Sequence, residues 1–232
     1  MSLHLLALDA SSSACSVALL RQDGEQRECL AHFELTPRAH TQRLMPMVDE
    51  ILAEAQITPQ QLDAVAFGRG PGSFTGLRIA AGTAQGLAFG LDCPLVGIST
   101  LEALALQAHR RYHFRHIVTA LDARMGEIYV ATWHCLNDAL SQQSDEAVLP
   151  PAALRLPADE ADWVGVGSGF SLWEQFNAGV HAGMTQHLTD LEPRAEEMAW
   201  LGLRDFEAGL GQAAHHVQPV YLRNDVAWKK PA

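Results

Sequence analysis

Apolar positions change rhythm along the first hundred residues, and each change predicts an element. Leu3 to Leu8 is an apolar block, Asp9 to Ser13 is polar and turn-forming, and Cys15 to Leu20 is apolar again, which reads as strand, turn, strand. Gly24 marks a second turn and Gln26 to Leu35 adds a third strand, so the chain opens as an antiparallel meander. The period then lengthens from two residues to 3.6. Leu44, Met47, Val48, Ile51, Leu52 and Ala55 share one helical face behind the start signal Thr36-Pro37. Pro46 lies within this stretch and removes a donor, which predicts a bend or a broken first turn. Thr58-Pro59-Gln60-Gln61 opens a short helix with a capping-box glutamine, and Ala64 to Phe67 reads as a strand. Helical spacing resumes at Thr75 through Leu77, Ala81, Ala84, Leu87, Ala88 and Leu91, stops near Asp92-Cys93-Pro94, and yields to a strand at Leu95 to Ile98.

Signals thin out beyond that point. Thr100 to His109 is helical, Ile117 to Leu121 and Glu127 to Trp133 form a strand pair, and Trp163 to Val166 is a strand before the turn Gly167-Ser168-Gly169. A Pro-rich stretch, Leu149 to Pro157, reads as loop, and Pro193 to Leu210 as a final helix. No tandem repeat is visible. At 232 residues the chain is near the size at which one core divides into two. The pattern predicts an α/β protein with a first lobe, residues 1–98, and a smaller second lobe, residues 99–232, whose tail packs back on the first.

The segment from Gly68 to Gly90 carries seven glycines, at 68, 70, 72 and 76 and then at 82, 86 and 90. The first group could present backbone donors to a phosphate at a helix start, but no lysine follows as a P-loop requires. The second group lies inside a predicted helix and costs about 2 to 3 kcal/mol relative to alanine, so something must offset it. A stripe without side chains admits close approach by another backbone, either the chain's own sheet, which spacing by itself favours, or a helix of another protein. Asp9 with Ser11, Ser12 and Ser13 could present a carboxylate and hydroxyls to a hydrated metal or phosphate, or could simply satisfy a hairpin turn.

Composition narrows the classes. Apolar residues make up 48% and charged residues 19%, and no run approaches the length of a membrane helix. The start has no basic lead or cleavage site, and the four scattered cysteines fit a reducing compartment, so a cytoplasmic location is expected. A net charge of −11 disfavours direct binding of nucleic acid, with only Arg223, Lys229 and Lys230 clustered near the end. The eleven histidines show no metal-ligand spacing, and Gly167-Ser168-Gly169 lacks a full nucleophile elbow.

LALDASSSACSVALL, HTQRLMPMVDEIL, GRGPGSFTGLRIAAGTAQGLA, CPLVGISTLEALA, DARMGEIYVATW and PVYLR together resemble the TsaB (YeaZ) family, a subunit of the bacterial machinery that makes threonylcarbamoyladenosine in tRNA. The resemblance implies a two-lobed actin-like ATPase (ribonuclease H-like) fold with a reduced second lobe. It also implies a non-catalytic role beside the catalytic subunit TsaD and the ATPase TsaE, with self-pairing when TsaD is absent and tRNA reached only through the complex. No cofactor is implied for this chain; ATP and a metal ion belong to the partner subunits. The catalytic relative carries two metal-binding histidines that fall here at Thr100 and Leu104, and adjacent glycines that fall at Ala123 and Arg124. Asp9, Ser11, Ser12 and Ser13 would then be a vestigial phosphate loop and Gly167-Ser168-Gly169 a remnant of the adenosine loop. Pairing through the first lobe's helices is implied, with His40, Arg43, Met47, Arg78, Ala81, Gly82, Gln85 and Gly86 as candidate contacts. The alternatives are an actin-like ATPase or small-metabolite kinase using Asp9, the serines and the glycine loop, and a metallopeptidase, which the missing histidine pair disfavours.

Overall fold

Three strands, β1 (Ser2–Asp9), β2 (Ala14–Asp23) and β3 (Gln26–Leu35), form the expected meander, with Leu3 opposite Gln22 and Asp9 opposite Ser16. The structure is a computed structural model that describes residues 2–36, 38–136, 139–157 and 162–223. Two further strands, β4 (Ala64–Gly70) and β5 (Leu95–Ser99), join parallel to β1 on its other side, giving the order β3-β2-β1-β4-β5. Central strand β1 is buried on both faces, which is why it reads as an unbroken apolar run: Leu6 and Leu8 face one layer of helices, Leu5 and Ala7 the other.

The first layer is α1 (His40–Glu54) and α2 (Phe74–Leu91). Leu44, Met47, Val48, Ile51 and Leu52 of α1 pack with Ala80, Ala81, Ala84 and Ala88 of α2 over the sheet, each large side chain contributing about 1.5 to 3 kcal/mol on burial. The second layer is α3 (Thr100–Tyr112) and, from the far end of the chain, α5 (Ala195–Glu207); Ala103, Leu106, Met198 and Leu201 close that face. The chain therefore returns to its first sheet after building a second one.

That second sheet contains β6 (His116–Asp122), β7 (Ile128–Leu136), β8 (Ala139–Gln142), β9 (Ala147–Leu149), β10 (Trp163–Val166) and β11 (Met184–Leu188), ordered β11-β10-β6-β7-β8 with β9 also on β7. β6 and β7 are antiparallel, whereas β6, β10 and β11 are parallel. Order and direction repeat those of the first sheet, with β6 in the place of β1, β7 of β2, β10 of β4 and β11 of β5. The repeat invisible in the residues is present in the topology. A short helix, α4 (Ala178–Gly183), precedes β11. Two lobes built on matching mixed sheets make this the actin-like ATPase fold.

Several boundaries depart from expectation. α1 starts at His40 behind Ala39, which offers no side-chain cap, because Thr36 instead extends the exit of β3 by donating its amide to Ser13. Pro37, the other half of the predicted start signal, lies outside the described residues. The helix runs unbroken through Pro46, since the core anchors Leu44 before it and Met47 and Val48 after it. The predicted helix at Pro59 is one 3-10 turn, in which the Gln61 side chain accepts the Thr58 amide at 2.9 Å. β8, β9, α4 and β11 were not foreseen, being too short to establish a period.

Candidate functional site

The glycine loop and the serine turn meet, but they fill each other. A Cβ on Gly72 would lie 2.6 Å from the Ser11 carbonyl oxygen, and one on Gly76 would collide with the Ala10 carbonyl. Ser73 donates its amide to Ser11 at 2.7 Å and caps α2 by accepting the Gly76 amide at 3.4 Å. Two of the amides at the start of α2, those of Ser73 and Gly76, are thus engaged inside the fold. Ser11 donates to Asp9 Oδ2 at 2.9 Å, the Ser12 hydroxyl accepts the Ala14 amide at 3.3 Å, and Ser13 donates to Glu192 at 3.0 Å. Asp9 Oδ1 has no partner and presses against Gly68, and burial pushes this carboxyl up to about 7. These contacts set the serine turn directly against the glycine loop, with Ser12 half-buried and Ser13 exposed at its rim.

The second lobe repeats the arrangement. A Cβ on Gly167 would strike the Ala120 carbonyl, one on Gly169 would lie 2.8 Å from the Ala120 Cβ, and Ser168 accepts the Asp122 amide at 3.1 Å. Ala123 is buried, and Arg124 folds back on Asp122 at 3.0 Å. Thr100 and Leu104 are fully buried, the threonine hydroxyl donating to the Pro71 carbonyl and the leucine packed near Gly167. Both side chains are committed to contacts within the fold.

The other glycines behave in the opposite way. Gly82 and Gly86 are exposed, and a Cβ on either would meet nothing within 4 Å, so the stripe looks outward rather than onto the chain's own sheet as its spacing had favoured. Small alanines on the inner side, Ala80, Ala84 and Ala88, take the sheet contact instead. Beside the stripe stand exposed apolar side chains: Phe74 at 51%, Phe89 at 79% and, on neighbouring α1, Met45 at 38%. Arg78 lies over the Phe74 ring, 3.4 Å from its centroid. The outer face of α2 is thus a ridge without side chains at Gly82 and Gly86, with exposed aromatic side chains toward both its ends.

The eight candidate contacts separate on this surface. Gly82, Gly86 and Arg78 belong to the outer face. Met47 and Ala81 do not; they are 0% and 4% exposed, Met47 on the face of α1 that includes Leu44 and Ile51 and Ala81 beside Leu77 and Ala84 on the inner side of α2. His40 is half-buried, with Nε2 bonded to the Ser12 carbonyl at 3.1 Å, and Gln85 gives its amide to the Val217 carbonyl at 2.8 Å. Arg43 is held in two forks by Glu34 and Glu50, at 2.7 Å on Nε and Nη1, which lowers both carboxylates and raises the guanidinium. Met45, Phe74 and Phe89 went unrecognised in the sequence, although Phe74, Arg78, Gly82 and Gly86 recur at four-residue intervals and so form one line. Lys229 and Lys230 of the basic cluster lie outside the described residues.

Comparison with known proteins adds identity to this geometry. Residues 32–230 match the family model described as TsaD, tRNA N6-adenosine threonylcarbamoyltransferase. The tRNA threonylcarbamoyladenosine biosynthesis protein TsaB of Escherichia coli (strain K12) is 43% identical over 98% of each chain, and that of Bacillus subtilis (strain 168) is 31% identical over 94% of this chain and 93% of its own. The solved structure of YeaZ from Pseudomonas aeruginosa superposes with a TM-score of 0.88 at 42% identity, covering 95% of this chain and all of that one. With likeness of this extent in sequence and in fold, the chain belongs to the TsaB/YeaZ family.

Proposed function

We propose that this protein is a non-catalytic subunit of the machinery that makes N6-threonylcarbamoyladenosine in tRNA, and that it works by pairing through α1 and α2 with TsaD. Support for pairing comes above all from the outward line of Gly82 and Gly86 between exposed Phe74, Phe89 and Met45. Two helices can pack closely only where side chains are absent from the contact, and the helix retains glycines that cost it stability when alone. Transfer chemistry, ATP and metal are assigned to TsaD and TsaE, in keeping with a first turn packed against the glycine loop and with Thr100 and Leu104 at the places of the relative's metal-binding histidines. A copy of this chain takes the place of TsaD when TsaD is missing. At −11 the chain leaves tRNA contact to its partners, and its place is the cytoplasm, where tRNA is modified.

Light scattering after size exclusion, with and without TsaD, tests this reading. Gly86→Leu places a branched side chain on the ridge and is expected to weaken pairing at least tenfold while the thermal midpoint of the chain diluted to monomer stays within a few degrees. Unchanged pairing in that variant would remove α2 from the interface.

A further inference from the structure

Residues 212–223 carry almost no regular structure, yet they cross from one lobe to the other. Gln212 and Leu95 exchange two backbone hydrogen bonds, at 2.8 and 3.0 Å, on the edge of the first sheet. The Val217 carbonyl accepts from Gln85 on α2 at 2.8 Å, the Val220 amide donates to the Arg69 carbonyl at 2.7 Å, and the Tyr221 ring lies 5.6 Å from that of Phe74. The segment then reaches the second lobe, where the Arg223 guanidinium is bonded to the Glu127 carboxylate and lies 3.4 Å from the Arg124 carbonyl.

Arg223 grips an unusual turn. Arg124, Met125 and Gly126 all have positive φ, at 63°, 57° and 76°, and the first two have side chains that disfavour it. Met125 is also 80% exposed, so its side chain packs little against a turn closed by its own backbone bonds, Ala123 to Glu127 at 3.0 Å and Glu127 to Arg124 at 3.1 Å. Such residues persist where surrounding contacts over-determine them, and here Arg223 supplies contacts from outside the turn.

A second tie lies at Arg69. Its carbonyl holds the crossing segment at Val220, while its guanidinium donates two hydrogen bonds, at 3.1 and 3.2 Å, to Glu146 of the second lobe. Glu146 also accepts the Ser99 hydroxyl, and its side chain is 10% exposed, so this pair is shielded from the screening that weakens surface pairs. One residue therefore joins the first sheet, the crossing segment and the second lobe.

The geometry points to residues 212–223 acting as a strap that couples the outer face of α2 to the second lobe. A subunit docked on α2 thereby changes how firmly the β6–β7 turn and the Glu146 loop are held. This rests on the pairing reading above. A partner that covers Phe74 and Arg78 must meet Tyr221, which lies between Val220, tied to Arg69, and Arg223, tied to Glu127. The two-state element is the strap itself, seated or lifted, and any bias a partner places on it returns as an equal change in that partner's affinity.

Amide hydrogen exchange on the full-length chain, free and saturated with TsaD, tests the coupling together with pairing affinity. In the wild-type chain TsaD is expected to change exchange at residues 122–127 at least about fivefold. Arg223→Gln should raise exchange there about tenfold in the free chain, abolish the response to TsaD and shift pairing affinity about fivefold. Arg223→Glu combined with Glu127→Arg should recover much of the response, which separates a specific tie from general loosening. Exchange at 122–127 indifferent to TsaD, or Arg223→Gln pairing within twofold of wild type, overturns the coupling while leaving pairing intact. A wild-type chain that does not pair at all overturns both.

Discussion

Asp9 is a buried carboxyl with one oxygen served by Ser11 and the other unserved against Gly68. Loss of hydration dominates, and the acid is raised from 3.8 to about 7. Glu197 on α5 is also buried with Oε2 unpartnered, and burial together with Glu196 raises it to about 7 as well. Both folded values stand above the unfolded ones. Between about pH 4 and pH 7 the folded chain keeps protons that the unfolded chain has released, so stability falls as pH rises through that window and levels off above it. Asp9→Asn and Glu197→Gln should each flatten this slope and stabilise the chain at pH 8, on the order of 2 to 4 kcal/mol less any hydrogen bond lost. Urea unfolding at pH 5 and pH 8 measures it; a slope as steep as that of the wild type would mean these carboxyls stay ionised in the fold. Asp9→Asn should also leave tRNA modification by the assembled complex largely unchanged, as expected of a turn that holds only its own chain.

At the scale of elements, one stretch of sequence holds two kinds of glycine. Those at 72 and 76 admit the backbone of Ala10 and Ser11, whereas those at 82 and 86 face open space. Alanine separates them. Gly76→Ala forces the serine turn away from α2 and should cost several kcal/mol, while Gly82→Ala in the isolated chain should gain about 0.5 to 1 kcal/mol from helix propensity alone. Thermal or urea unfolding of both variants, at a dilution where light scattering shows monomer, decides it, and a destabilised Gly82→Ala there would mean that the stripe is covered by the chain itself. Sequence spacing identified the stripe but not its direction. A glycine has no hydropathy of its own, and the alanines beside it mark the buried side only weakly. The resemblance offered Met47 and Ala81 as contacts, although the helical periods of Leu44, Met47, Val48 and Ile51 and of Leu77, Ala81 and Ala84 already set both on the inner faces.

For the whole molecule, two sheets with the same strand order bring two glycine loops, after β4 and after β10, onto two turns that each begin with an aspartate, Asp9 and Asp122. In each lobe the loop and the turn close on one another. Titration calorimetry of the isolated chain with ATP and magnesium should therefore give no heat of binding at tens of micromolar protein. Low-micromolar affinity would instead favour a nucleotide-binding enzyme and require the serine turn to withdraw from Gly72 and Gly76. Between the two sheets lies α3, with Ala103 and Leu106 packed on the first and Leu101, Leu104, Ala105 and Ala108 on the second, and Arg69 with Glu146 and Arg223 with Glu127 add ion pairs across the lobes.

What the sequence by itself determined are the features written in local order. The meander and β4 to β7 follow from apolar runs bounded by turn residues, and α1 and α2 from the 3.6-residue period, because each such element is defined by its own contiguous residues. Family membership was legible for the same reason, as contiguous motifs such as GPGSFTGLRI. Only the tertiary structure decided which glycines are filled and which are open, that α5 returns to the first sheet, and that residues 212–223 tie the lobes together. These depend on neighbours far apart in the chain, and a glycine or an irregular segment carries no periodic signal of what will come to lie against it.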